Sequence, residues 1–152
     1  GRWRDILSMS DAGADVIYDF VDAGLPSTVV PAVEYRPALR LLLSLMASAE
    51  PDVGVVEVGA SPLEPYNGAL AVSTIRDSIS FTVLCASDPY AVLGVKEAWA
   101  GAPGPDLVTG IASNTTAGQS LVRELTGIPC LDLRRKAALP TLDDMLREAL
   151  DL

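Results

Sequence analysis

The stretch Val53 to Pro65, VGVVEVGASPLEP, decides how the rest of the chain is read. Four of its first six residues are valine. A run this short and this β-branched fits a strand buried on both faces, not a helix. Glu57 would then stand near the end of a buried strand. A carboxylate there is costly unless it binds a metal, pairs with a cation, or emerges at the C-terminal edge of the sheet, where open α/β sheets keep their ligand sites. Gly59, Ala60 and Ser61 follow, small enough to let backbone come close to a ligand.

Working outward, strand-like and helix-like stretches alternate. Val53–Val58, Ser80–Ala86, Asp106–Ala112 and Ile128–Leu133 read as strands. Ala69–Ile79 reads as a helix. Asp88-Pro89 reads as the cap and first turn of another that reaches Ala100 and ends at Gly101. Thr116–Thr126, closed by Gly127, and a last helix from Thr141, with Leu142, Met145, Leu146 and Ala149 inward, complete the series. Helix-length crossovers require parallel pairing, and strands this apolar need helices on both faces. The expected fold is α/β: a doubly wound, mostly parallel sheet in a three-layer sandwich with right-handed crossovers.

Upstream, Pro37 is placed to start a helix through ALRLLLSLMASAE, with Leu39, Leu42, Leu45, Met46 and Ala49 on one face and Leu41 and Leu43 widening it; such a helix should be largely covered. From Ile6 to Val21 the pattern supports helix and strand equally. Ile6, Met9, Val16, Ile17 and Phe20 suit one side of a helix and Asp11, Asp15, Asp19 and Asp22 another, but Gly13 and VIYDF allow a short strand. The aspartates read first as a solvated face, second as a magnesium or amine-substrate site.

The totals exclude several functions. The 152 residues suit a single domain able to bury a core without staples. A net charge of −9 opposes binding to nucleic acid or anionic membrane. With no histidine, the chain lacks the commonest general base, the usual zinc ligand and any serine–histidine triad. No apolar run approaches the roughly 18 to 20 residues of a membrane span. Cys85 and Cys130 read as buried free thiols, which suits a reducing cytoplasm. The opening GRWRD, without an initiator methionine, suggests an excised domain or a processed product.

In the expected sheet the turns after successive strands meet on one edge: Glu57 with Gly59 to Ser61, Ser87 with Asp88, Ser113 with Asn114 and Thr115, and Arg134 with Arg135 and Lys136. They offer a carboxylate for magnesium, small and hydroxyl residues for anions, an amide able to read a base, and a basic cluster that otherwise is simply solvated.

The run VVEVGASPLEPYNG resembles the strand and loop of dethiobiotin synthetase-like P-loop NTPases, in which a glutamate lies near the magnesium and phosphates. GIASN resembles the strand ending in an asparagine that contacts the base there, and GIPCLDL the strand after it. DAGAD…DFVDAG, Asp11 to Gly24, resembles a segment of an uncharacterised P-loop family linked to D-amino-acid N-acetylation. The likeness implies the C-terminal part of a nucleotide-dependent ligase or N-acyltransferase domain. ATP and magnesium would be its cofactors and a small molecule such as an amino acid its substrate. It assigns Glu57 to magnesium, Gly59, Ala60, Ser61 and Asn114 to the nucleotide, and Asp19 or Asp22 to orienting a substrate amine.

Two departures bound it: Val58 stands where the synthetase motif has glycine, and no GxxxxGK[ST] occurs anywhere. The expectation is therefore an inactive fragment, completed by an N-terminal P-loop segment and forming a homodimer through an uncovered sheet edge or helix face. The rival expectation is a non-catalytic ligand-sensing or assembly domain that keeps only the sheet.

Overall fold

The structure is a computed structural model in which residues 3–59, 61, 64–99 and 104–152 are described. The chain divides into two compact units, Gly1–Thr74 and Ile75–Leu152. Ala60 and the expected helix end at Ala100 and Gly101 lie outside the described residues. No helix among the described residues is long and apolar enough to cross a membrane.

In the first unit, α1 (Trp3–Asp11) stops where Gly13 adopts φ +102, and Ala14 N–H closes the end on Met9 C=O at 3.1 Å. Neither alternative for Val16–Phe20 forms, since these residues are neither helix nor strand. A physical reason is local: Asp19 and Asp22 side chains accept from nearby backbone N–H groups, an alternative that competes with regular structure.

Helix α2 (Ala32–Ser48) begins five residues before the expected start and carries Pro37 inside it. The missing proline N–H leaves Val33 C=O without its usual bond. Leu39, Leu42, Leu43, Leu45 and Met46 are only half-buried and Leu41 is exposed, so the expectation of a largely covered helix is corrected. Only Tyr35 and Ala38 are buried on it. Asn67, at φ +58, donates from Nδ2 to Thr28 C=O (2.7 Å) and Val30 C=O (2.9 Å), tying that loop to the start of α3 (Gly68–Ile75).

Residues 53–58 form no strand, contrary to the sequence reading; Val53, Val55 and Val56 are 50%, 77% and 46% exposed. A strand is stabilised by its neighbours, and the first unit has no other strand among its described residues.

The second unit carries the sheet. Strands β1 (Val83–Cys85) and β2 (Leu107–Thr109) pair in parallel, Leu84 opposite Val108. A third parallel segment touches β2 at Cys130, where Val108 N–H donates to Pro129 C=O (2.8 Å) and Leu131 N–H to Val108 C=O (3.0 Å). The parallel direction of these three segments follows the sequence reading. Their lengths do not: Ser80–Ala86 and Asp106–Ala112 contract to three residues each, and 128–133 to a single bridge.

Gly110 causes part of the contraction. At φ +85 it turns the chain out of β2, and Ala112 N–H then donates to Ala86 C=O at 3.0 Å. A Cβ on Gly110 would stand 2.8 Å from Ala86 O, so only glycine allows this approach.

The connections match the sequence well. Helix α4 (Pro89–Ala98) is capped by Asp88, whose carboxylate accepts from Tyr90 and Ala91 N–H, and α5 (Thr116–Thr126) by Thr115, closing on Gly127 at φ +74. Lys96 Nζ donates to Thr126 C=O (2.9 Å), joining α4 to the end of α5. Ala86, Val92, Val108, Ala112, Val122 and Cys130 form the core between strands and helices. Helix α6 (Leu139–Leu150) keeps Leu142, Met145, Leu146 and Ala149 half-buried on its inner side. What stands is a mixed α/β chain, mostly helical, with a small parallel sheet.

Candidate functional site

The C-terminal ends of β1 and β2 open onto a cavity of about 360 Å³ lined by Cys85, Thr109, Gly110, Ile111, Leu133 and Arg134. Each lining residue is there for a structural reason. Cys85 and Thr109 are opposite one another at the ends of the two strands. Gly110 makes the turn that pulls Ile111 aside, and Leu133 N–H donates to the buried Thr109 Oγ1 at 3.4 Å. Most of the wall is therefore apolar side chain and backbone. Arg134 supplies its charge.

Arg134 is held from two sides. Its Nε donates to Asp132 Oδ1 (2.9 Å) and its Nη2 to Asp132 Oδ2 (3.2 Å), a forked pairing that fixes the guanidinium plane. Nη2 also donates to Asn114 Oδ1 at 2.5 Å. Asp132 is buried, and Arg135 Nε reaches its Oδ2 at 3.3 Å. The hydrogen bond from Arg134, the largest influence, holds the Asp132 carboxyl below the usual aspartate range, and the same bond raises Arg134. A buried carboxylate needs such partners.

The other expected site residues are distributed as follows. Asn114 is half-buried beside Arg134, not in the cavity wall. Ser87 and Asp88 are used by the α4 cap: Ser87 Oγ donates to Asp88 Oδ2 at 2.7 Å, and this bond, followed by those from Ala91 and Tyr90 N–H, keeps Asp88 below its ordinary range. Ser113 is fully buried and donates to Gly110 C=O. Arg135 and Lys136 are exposed.

Glu57, Gly59 and Ser61 belong to the first unit and do not sit at the end of a strand. Glu57 and Gly59 are exposed; Ser61 N–H donates to Glu64 Oε2 at 2.9 Å. Ala60 lies outside the described residues. Asp19 Oδ1 accepts from Val21 N–H (2.7 Å) and Asp22 Oδ2 from Asp19 N–H (2.8 Å), so both carboxylates are engaged in their own turn. Asp15, Glu50 and Asp52 border a separate hollow of about 250 Å³ with Val16, Ala49, Pro51 and Val53. Among the described residues, no group of three or more Cys, Asp and Glu is arranged to hold a metal ion.

Two contributors escaped the sequence reading. Asp132, inside the apolar run CLDL and two residues before a basic cluster, carries the same signal as Glu57: a carboxylate in an apolar, strand-like run needs a cation. Cys85 was expected to be buried and is exposed at the cavity, because β1 is the outer strand of the small sheet. No protein-family model, curated protein or solved structure matches the chain.

Proposed function

We propose that the second unit is the base-binding portion of a nucleotide-binding α/β domain, in full a doubly wound three-layer sandwich whose phosphate-binding loop lies on a separate segment. The observation that carries this reading is the cavity at the C-terminal ends of parallel strands, with a fixed guanidinium at its wall. Ligands of open α/β sheets bind at this edge. A volume of about 360 Å³ is in the lower part of the range for small-molecule sites and suits one planar ring with part of a sugar.

The open edge of β1 supports the second half of the proposal. Residues 82 and 86 carry hydrogen bonds to β2, so Val83 and Cys85 turn their backbone groups the other way, where no strand pairs with them among the described residues. An added strand would satisfy that edge; in the isolated chain a second copy would do so. The whole enzyme would be an ATP- or related nucleotide-dependent ligase or N-acyltransferase acting on a small molecule.

Titration calorimetry with a purine nucleoside and its triphosphate, with and without magnesium, tests the reading. With no phosphate-cradling loop in these residues, the nucleoside and the triphosphate should bind with the same dissociation constant, and magnesium should leave it unchanged. Absence of binding by every purine nucleoside and nucleotide at millimolar concentration would end the proposal.

A further inference from the structure

We propose that the Asn67-Gly68 peptide is a spontaneous modification site, at which deamidation of Asn67 cuts the tie between the 25–31 loop and the start of α3. The site lies in the first unit and does not depend on the nucleotide reading.

Asn67 Nδ2 donates to Thr28 C=O at 2.7 Å and to Val30 C=O at 2.9 Å, which uses both hydrogens of the amide. Val30 stands two residues before α2, so one side chain fixes the approaches to two helices. The Asn67 backbone, at φ +58, is in the left-handed region that asparagine tolerates, and its C=O accepts from Ala71 N–H at 2.9 Å.

The residue that follows makes this amide vulnerable. Gly68 is the first residue of α3, where an N–H has no carbonyl within the helix to bind, and no Cβ of its own shields the nitrogen. Once deprotonated, that nitrogen can attack Asn67 Cγ. The new N–C bond closes a cyclic imide and expels ammonia; water then opens the ring at either carbonyl, giving aspartate or isoaspartate. The sum is amide plus water to acid plus ammonia, with no oxidant or other co-reactant. The chain has one other asparagine, Asn114, and the branched Cβ of Thr115 crowds the nitrogen that follows it.

In the folded chain the tie opposes the reaction, because an amide held on two carbonyls is not free to turn its carbon toward Gly68 N. The reaction therefore runs through local opening of the loop, which needs no global unfolding. The product blocks the return. An ionised carboxylate has acceptors only, so both donors are gone and negative oxygens would face the Thr28 and Val30 oxygens at close range. The new charge is favoured instead at the N-terminus of α3, beside the N–H groups of its first turn. Isoaspartate also adds a methylene to the main chain and displaces the cap itself. Each product releases the loop irreversibly.

The test is storage of the 152-residue chain at mildly alkaline pH, native and urea-denatured, followed by peptide mass spectrometry and hydrogen exchange. In the denatured chain acid should accumulate at residue 67 severalfold faster than at residue 114. In the native chain residue 67 should still convert, partly to isoaspartate, but severalfold more slowly than in urea. In the converted fraction, and in Asn67→Asp, the amides of residues 25–31 should exchange faster while Val108 and Leu131 N–H keep their protection, which shows that the second unit stays folded. Asn114 reacting as fast as Asn67 in urea, no conversion of Asn67 in the native chain, or equal native and denatured rates would overturn the proposal. Unchanged exchange of residues 25–31 after conversion would overturn it too, and the converted parent decides this even where Asn67→Asp fails to fold.

Discussion

Arg134 Nε donates to Asp132 Oδ1 across 2.9 Å, joining a side chain that is 70% exposed to one that is 5% exposed. The pair gives the fold a defined response to acid. Because Asp132 titrates below its ordinary range in the folded chain, the folded state binds fewer protons there than the unfolded one. Its contribution is present above the unfolded aspartate value of about 3.9 and is lost as pH falls toward and through the lower folded value. Asp88 is shifted in the same direction by Ser87 and the α4 N–H groups, so it adds to the same acid limb. Asp132→Asn should lower the urea midpoint at neutral pH and flatten its decline below about pH 4. Parallel acid profiles for the variant and the parent would remove Asp132 from this account.

Gly110 should be the least replaceable of the left-handed glycines. Its φ of +85 disfavours any side chain, and its Cβ would meet Ala86 O at 2.8 Å and Ala86 N at 3.0 Å. Gly127, at φ +74, has nothing within 4 Å of the same position. With ψ −155 Gly110 lies in a region essentially reserved for glycine, where the conformational cost alone is about 1–3 kcal/mol, whereas Gly127, at ψ −3, sits in the ordinary left-handed well. Gly110→Ala adds the displacement of β1 from the turn after β2. Urea unfolding should therefore rank Gly110→Ala as clearly more destabilising than Gly127→Ala; equal midpoints would mean that the turn yields without moving Ala86.

Where the sequence carried its own stop signals, the elements were legible. Asp88-Pro89 opens α4, and Thr115 and Gly127 bracket α5, because caps and left-handed glycines act within a few residues of chain. Val53–Val58 had no such local determinant. Its valines register a preference for burial, but a strand forms only where another offers hydrogen bonds, and sequence pattern does not supply the partner. Pro37 misled for a related reason: proline is accepted inside α2 at the loss of one backbone bond, so it did not mark the boundary. At the cavity, the strand ends and the basic cluster could be read from order along the chain. The pairing of Arg134 with Asp132 and Asn114 depends on side-chain directions that follow from the short third segment and not from spacing.

The two thiols should separate cleanly. Cys85 is exposed at the cavity, whereas Cys130 is fully buried between β2 and the helices, where desolvation raises its thiol above the ordinary value despite the opposing field of Arg123. The thiolate is the reactive species, so burial and a raised titration point act together on Cys130. A disulfide-exchange reagent at neutral pH should modify Cys85 in the native chain and Cys130 only after denaturation, with Cys85→Ser abolishing the native reaction. A bound purine nucleoside should slow the Cys85 reaction, since Cys85 lines the same cavity. Fast modification of both thiols in the native state would contradict the core described around Val108 and Val122.

Phosphoryl transfer depends on groups that cradle and neutralise the phosphates, in P-loop enzymes the loop backbone, its lysine and the hydroxyl that holds magnesium. None of the 152 residues forms a GxxxxGK[ST] sequence. The cavity wall contains one guanidinium, and Asp132 and Asn114 already claim three of its five donors. Two donors can orient a ring, but they cannot stabilise charge developing on three phosphoryl oxygens. Nucleoside triphosphate hydrolysis by the chain should remain at background with magnesium present, and Glu57→Gln should leave that background unchanged, as Glu57 is an exposed residue outside any strand. A phosphate-release assay on parent and variant, with matched circular dichroism spectra, checks both statements. Turnover that vanished in Glu57→Gln would mean that a phosphate site lies within these residues, and the division between a base-binding chain and a separate phosphate-binding segment would have to be abandoned.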